Sequence, residues 1–190
     1  MQQHRFDPKN KEVLESPERK KLLSPEQLLE MLPIQKGDRI LDIGAGTGYF
    51  SIPAAQMTEG TVYALDLEPE MLAALKSKIE EQSIPNIELV EASMTDMPFK
   101  DHSIDIVIAS LVLHAVKPIS MSLNEIKRVM KPNAHLVICE WEPKESPMGP
   151  PMKIRISSKD MEQALHESGF SIKKHVSPTD FLYIFIASIK

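Results

Sequence analysis

Residues 40–50 read ILDIGAGTGYF, an apolar run that passes without a break into three glycines at every second position, Gly44, Gly46 and Gly48. Glycine at alternate positions removes side chains where a backbone must turn sharply or where another group comes against it. A strand, a glycine-rich bend and a new apolar segment form the opening unit of an open α/β sheet. Such sheets bind ligands beyond the carboxyl ends of their strands, where the strand order reverses. A nucleotide is the first class of ligand to test against this bend.

The rest of the chain fits that opening. Five β-rich runs, at residues 39–43, 61–67, 87–92, 104–110 and 134–141, are spaced to leave room for helices. Residues 69–81 carry Met71, Leu72, Leu75 and Ile79 at helical spacing, and residues 119–130 do the same with Met121, Leu123, Ile126, Val129 and Met130. Strands alternating with helices predict a parallel sheet covered on both faces, and near-continuous apolar strands such as IDIVIAS agree. After a helix capped near Ser157 or Ser158 and ended by Gly169, two further strand-like runs flank residues 177–180. That connection is too short for a parallel crossover but suits a hairpin, so the last strand is expected to run antiparallel. Ser16-Pro17-Glu18 and Ser24-Pro25-Glu26 each open a short helix. The chain thus divides into an N-terminal helical segment over residues 1–36 and an α/β domain over 37–190. The proline-rich residues 143–151 read as a loop on the functional face.

Composition excludes several classes. The 190 residues are 42% hydrophobic and 26% charged with a formal net charge of −5, which gives one globular domain without the basic balance of a general nucleic-acid binder. No apolar run is long enough to span a bilayer, and the polar start carries no secretory pattern. Cys139 is the single cysteine, which excludes an internal disulfide and a multi-cysteine metal site and fits a reducing, cytoplasmic setting. No His, Asp or Glu cluster has metal-ligand spacing.

The glycine pattern discriminates among nucleotides. A dinucleotide fingerprint, G-x-G-x-x-G, needs glycine where this chain has Tyr49, and no lysine follows to make a triphosphate loop. Asp66 ends the second strand about twenty residues beyond the turn, where a carboxylate can accept from both ribose hydroxyls. Asp42, the G-x-G-x-G turn, Asp66 and the antiparallel last strand together resemble the class I S-adenosylmethionine-dependent methyltransferases. DMPFKDHSIDIVIASLVLHAV (residues 96–116) and RVMKPNAHLVICEW (residues 128–141) are similar to stretches of small-molecule members of that family, including the ubiquinone and menaquinone biosynthesis enzymes, with Asn133 and Ala134 at two usual glycine positions. The resemblance implies a Rossmann-like, doubly wound α/β sheet of seven strands, mostly parallel with an antiparallel final strand, and helices on both faces.

The resemblance also implies roles. Gly44, Ala45 and Gly46 would receive the amino-acid end of S-adenosylmethionine, with Gly48 a further cofactor-binding residue, Asp42 near the ammonium, Asp66 on the ribose and Leu67 on the adenine. Ser93 stands where many relatives have an Asp for the adenine amino group, followed by Met94. Ser110 and Leu111 would face the sulfonium and methyl. His114 is the best-placed base candidate, its competing reading being a helix-start or packing histidine. Glu140, Trp141 and Arg155 flank the proline-rich loop as acceptor contacts, and residues 4–6 form a candidate lid. The expected partner is a small-molecule acceptor, with no nucleic acid, membrane insertion or metal. An N/D-P-P-Y motif is missing after the fourth strand, and Cys139 is preceded by Ile138, which argues against DNA amino and cytosine C5 methylation. Two rivals remain: a cofactor-binding protein without catalysis, and an NAD-dependent oxidoreductase.

Overall fold

The computed structural model describes residues 2–3 and 16–190; the candidate lid at residues 4–6 lies outside them. Two short helices, α1 (Pro17–Leu22) and α2 (Pro25–Leu29), start at Ser16 and Ser24, whose side chains accept from the amides of Arg19 and Gln27. Each has proline at its first position, where no amide is needed. Beyond them runs the alternation β2 (Ile40–Ile43), α3 (Ser51–Met57), β3 (Val62–Asp66), α4 (Pro69–Glu81), β4 (Ile87–Glu91), β5 (Ile104–Ser110), α5 (Ile119–Val129), β7 (Met130–Trp141), α6 (Ser158–Glu167), β8 (Phe170–Thr179) and β9 (Leu182–Ile189). A two-residue ladder pairs β1 (Gln2–Gln3) with β6 (Val116–Lys117).

The main sheet has seven strands in the order β4-β3-β2-β5-β7-β9-β8. Strands β4, β3, β2, β5 and β7 are mutually parallel, and β9 inserts antiparallel between β7 and β8. The chain winds outward from β2 to β4, then crosses back to lay β5 on the other side of β2, so the strand order reverses between β2 and β5. The doubly wound sheet and its antiparallel last strand are as the sequence leads one to expect. The hairpin is tighter than residues 177–180 suggested, because Thr179 already pairs with Leu182. Irregularities at 172/174 and 176/179 let β8 carry Pro178 on the sheet edge, where a missing amide costs no ladder bond.

Side chains alternate across the sheet. Leu41, Ile43, Val107, Ala109, Leu136, Ile138, Tyr183 and Phe185 form one core with α5 and α6, through Leu123, Ile126, Met161 and Leu165. Ile40, Ile106, Ile108, Val137, Cys139, Ile184 and Ile186 form a second core with α2 and α3, through Leu28, Leu29, Ala54 and Ala55. Helices therefore cover both faces. No helix among the described residues is long and apolar enough to cross a membrane.

Arg128, at the end of α5, braces the loop that leads into β5. Its guanidinium donates to Glu125, to Asp101 and to the carbonyls of Phe99 and Met97, at 2.6–2.9 Å. Hydrogen bonds to a charged group are worth about 1.5–3 kcal/mol each, with strong discounting at this partly exposed site. Arg128→Ala is expected to lower unfolding stability by about 1–3 kcal/mol in a urea titration, and a change of less than about 0.5 kcal/mol would contradict this bracing role.

Candidate functional site

A cavity of about 460 Å³ opens at the carboxyl ends of the strands, over the point where their order reverses. That volume lies within the roughly 300–1,000 Å³ of small-molecule sites. The glycine turn forms one wall. Gly44, Gly46 and Gly48 all have positive φ, at 70°, 54° and 92°. At Gly44 a Cβ would lie 2.5 Å from Cγ2 of Val112, so only glycine brings this bend against the segment after β5. The Leu65 carbonyl accepts from the amides of Gly44 and Ala45 at 2.8 and 3.0 Å.

Asp66, the last residue of β3, completes the tie. Its Oδ2 accepts from the Gly46 amide at 2.7 Å and its Oδ1 from the Glu68 amide at 2.9 Å. Each oxygen keeps a lone pair for a ligand hydroxyl. Leu67, Glu68, Met71, Ser93 and Met94 continue the wall beside it. Asp42, almost wholly buried at the end of β2, accepts from the Ser51 hydroxyl at 2.6 Å. Burial pushes its carboxyl up to about 6, against the Ser51 hydrogen bond, and the nearby Asp66 charge pushes the same way.

The opposite wall comes from the end of β5. The buried Ser110 hydroxyl has no hydrogen-bond partner among the described residues. Leu111 takes a φ of 57°, a strained conformation for a bulky residue, held by its amide donating to the Cys139 carbonyl at 2.7 Å. His114, in the short 3-10 turn Leu113–Ala115, lines the cavity with its Nδ1 2.9 Å from Oε2 of Glu140. Burial opposes the charged imidazole, but the Glu140 charge and hydrogen bond outweigh burial and raise its pKa.

The structure thus brings Asp42, Gly44, Ala45, Gly46, Asp66, Leu67, Ser93, Met94, Ser110, Leu111 and His114 around one space. Gly48 is not among the residues lining it. A Cβ there would meet Leu75 at 2.4 Å, so its glycine serves the packing of α4 against the turn. Trp141 lines the cavity, whereas Glu140 lies behind His114 with no exposure. Arg155 reaches the carbonyls of Pro150 and Lys144 at 2.8 and 2.7 Å and lies over the Trp141 ring, clasping the proline-rich loop.

Sequence reasoning missed Tyr49, Phe50, Val112, Met148 and Arg19 as lining residues. Tyr49 occupies the position that a dinucleotide site reserves for glycine. Its hydroxyl donates to the Leu23 carbonyl at 2.6 Å, and the Arg19 guanidinium lies 4.3 Å from its ring centre. The residue that breaks the phosphate fingerprint therefore anchors the N-terminal helices against the turn.

The lining favours a positively charged nucleoside over a phosphate. Asp42, Asp66 and Glu68 face it, against Arg19 as the only Lys or Arg of the lining among the described residues. A buried carboxylate whose pKa is raised by burial, as that of Asp42 is, is favoured by a ligand cation. Tyr49, Phe50, Leu111, Trp141 and Met148 give the lining an apolar part.

Comparisons with known proteins point the same way. Residues 41–138 match the family model described as a methyltransferase domain. Demethylmenaquinone methyltransferase of Listeria welshimeri is 33% identical over 112 residues, covering 58% of this chain and 48% of the relative. That of Geobacillus kaustophilus is 32% identical over 117 residues, covering 60% and 50%. The chain therefore spans about half the length of these relatives. The crystal structure of a SAM-dependent methyltransferase from Aquifex aeolicus superposes with a TM-score of 0.91 at 28% identity, covering 98% of this chain and all of that one. The cyclase SpnF shares the fold alone, with a TM-score of 0.81 at 16% identity over 99% of this chain and 86% of its own.

The Asp42 environment has a pH consequence. Its folded-state pKa of about 6 lies above the ordinary 3.8, so ionising it works against folding. Stability from this group is therefore gained as pH falls from about 6 towards 4. Asp42→Asn, which keeps an acceptor for Ser51, is expected to raise stability of the unliganded protein by up to roughly 3 kcal/mol near pH 8 and by little near pH 4. Equal effects at both pH values in denaturation curves would contradict this.

Proposed function

The chain belongs to the methyltransferase domain family, and on that premise we propose that it transfers the methyl group of S-adenosylmethionine to a small, partly apolar organic acceptor. The observation that carries the proposal is the glycine bend tied to Asp66 in a cavity whose carboxylates outnumber its cations. When bound, S-adenosylmethionine supplies a methyl already activated on a cationic sulfur, so the protein needs no nucleophile of its own.

The residues here would bind and orient. Gly44, Ala45 and Gly46 would receive the amino-acid end through bare backbone, with Asp42 offsetting its ammonium. Asp66, already oriented by two amides, would hold the ribose hydroxyls. Leu67, Ser93 and Met94 would flank the adenine, and Ser110 and Leu111 would face the reacting sulfur. Tyr49, Phe50, Trp141 and Met148 would hold the acceptor in line and exclude water, while α1, carrying Arg19, closes the far side. Alignment of this kind contributes roughly 7–11 kcal/mol to a bimolecular transfer when the geometry is right. The apolar part of the lining suits a quinone-type acceptor such as the one named for the Listeria and Geobacillus relatives. A cytoplasmic location accords with the single, buried thiol of Cys139.

Calorimetry with S-adenosylhomocysteine tests the reading. The wild-type chain is expected to bind this product and to show no comparable affinity for NADH or ATP. Asp66→Ala is expected to weaken binding on the order of ten- to a hundredfold, the loss of one charge-assisted hydrogen bond. Preference for NADH, or an unchanged affinity in the variant, would overturn the assignment.

A further inference from the structure

Glu140 stands in the same inward file of β7 as Leu136 and Ile138, facing a core that is otherwise apolar, and it has no solvent exposure. A carboxylate in such a place is destabilising by several kcal/mol unless N–H groups surround it. It accepts from the amides of His114 and Trp141, both at 3.2 Å, and from Nδ1 of His114 at 3.1 and 2.9 Å through its two oxygens. No Lys or Arg pairs with it among the described residues. The imidazole is its side-chain partner. With Nδ1 donating to the carboxylate, Nε2 is the nitrogen left to the cavity that His114 lines.

The geometry points to the His114–Glu140 pair as the proton acceptor of the transfer, and so to acceptors whose reacting oxygen, nitrogen or carbon gives up a hydrogen as it is methylated. This deepens the methyl-transfer reading above and rests on it. The lone or bonding pair of the acceptor atom forms the new bond to the methyl carbon while that atom's proton passes to Nε2 of His114. The electrons of the breaking carbon–sulfur bond stay on sulfur, leaving a neutral thioether. One positive charge thus moves from sulfur to the imidazolium, where the buried Glu140 carboxylate holds it. His114 touches the acceptor in this scheme; Glu140 is a positioning residue that fixes the tautomer and stabilises the charged ring.

The groups around the ring decide the pH dependence. Glu140 favours the imidazolium, burial and the Arg155 charge oppose it, and Arg19 is a further cation on the cavity wall. Turnover should fall as pH drops through the pKa of His114, because the protonated ring cannot accept. Neutralising Glu140 should lower that pKa and move the falling limb to lower pH.

The test uses the full chain, radiolabelled S-adenosylmethionine and the small-molecule fraction of a bacterial extract, with mass spectrometry of the labelled product. The expected product carries methyl in place of hydrogen. Glu140→Gln is expected to lower kcat at unchanged KM and to shift the acid limb downward. His114→Asn is expected to lose roughly 10²- to 10⁴-fold in turnover while binding S-adenosylhomocysteine as the wild type does. Nitrogen-15 histidine spectra of the wild type are expected to show the Nδ1–H tautomer, a readout that survives if a variant fails to fold. A permanently charged sulfonium or quaternary ammonium product, the opposite tautomer, or His114→Asn turnover within threefold of wild type would overturn the inference. No labelled product from a chain that binds S-adenosylhomocysteine overturns it too and leaves the cofactor assignment standing; failure to bind removes both.

Discussion

One carboxylate holds the two halves of the cavity's glycine wall together. Asp66 ends a central strand, and its two oxygens reach the amide of Gly46 on one side and that of Glu68 on the other. The first bond spans twenty residues of sequence and joins the bend after β2 to the end of β3. The Leu65 carbonyl adds two more ties to the same bend. These contacts use backbone groups that the sheet ladder leaves over at its carboxyl end, so the site costs the fold little. They also aim the carboxylate outward before any ligand arrives, which cuts the ordering cost of binding.

From that tie the charge distribution follows. The Asp66 charge adds to the cost of ionising Asp42, which is deeply buried as well. A ligand bearing an ammonium and a sulfonium relieves both penalties, whereas a phosphate would add to them. The other wall is built differently. Its negative charge, on Glu140, is hidden behind His114, so what the cavity meets there is an imidazole nitrogen. The cavity thus presents carboxylates on the wall of the glycine turn and an imidazole on the wall that follows β5.

Local features of the chain were legible and long-range pairings were not. The glycine bend, the acid twenty residues on and the short terminal connection are all written in adjacent residues, so the sheet and its antiparallel last strand follow from spacing. Gly48 has the same spacing as its neighbours, and only the structure shows that its missing side chain makes room for Leu75. His114 and Glu140 are 26 residues apart, one in the 3-10 turn that follows β5 and the other near the end of β7, and the parallel pairing of those two strands brings them together. Tyr49 was noted as a departure from a phosphate motif, but its bond to Leu23 depends on how α1 and α2 fold back. Arg128 lies inside a stretch that resembles the family, and nothing in its neighbours foretells that it braces residues 97–101.

The central claim is that the bend between β2 and α3 receives a cationic sulfur nucleoside. A crystal structure of the protein grown with S-adenosylhomocysteine tests it most directly. The account predicts the ribose hydroxyls on Asp66, the amino-acid end against Gly44 to Gly46, and the sulfur facing Ser110 and Leu111. A bend left empty under saturating ligand, or the compound seated elsewhere on the protein, would contradict it.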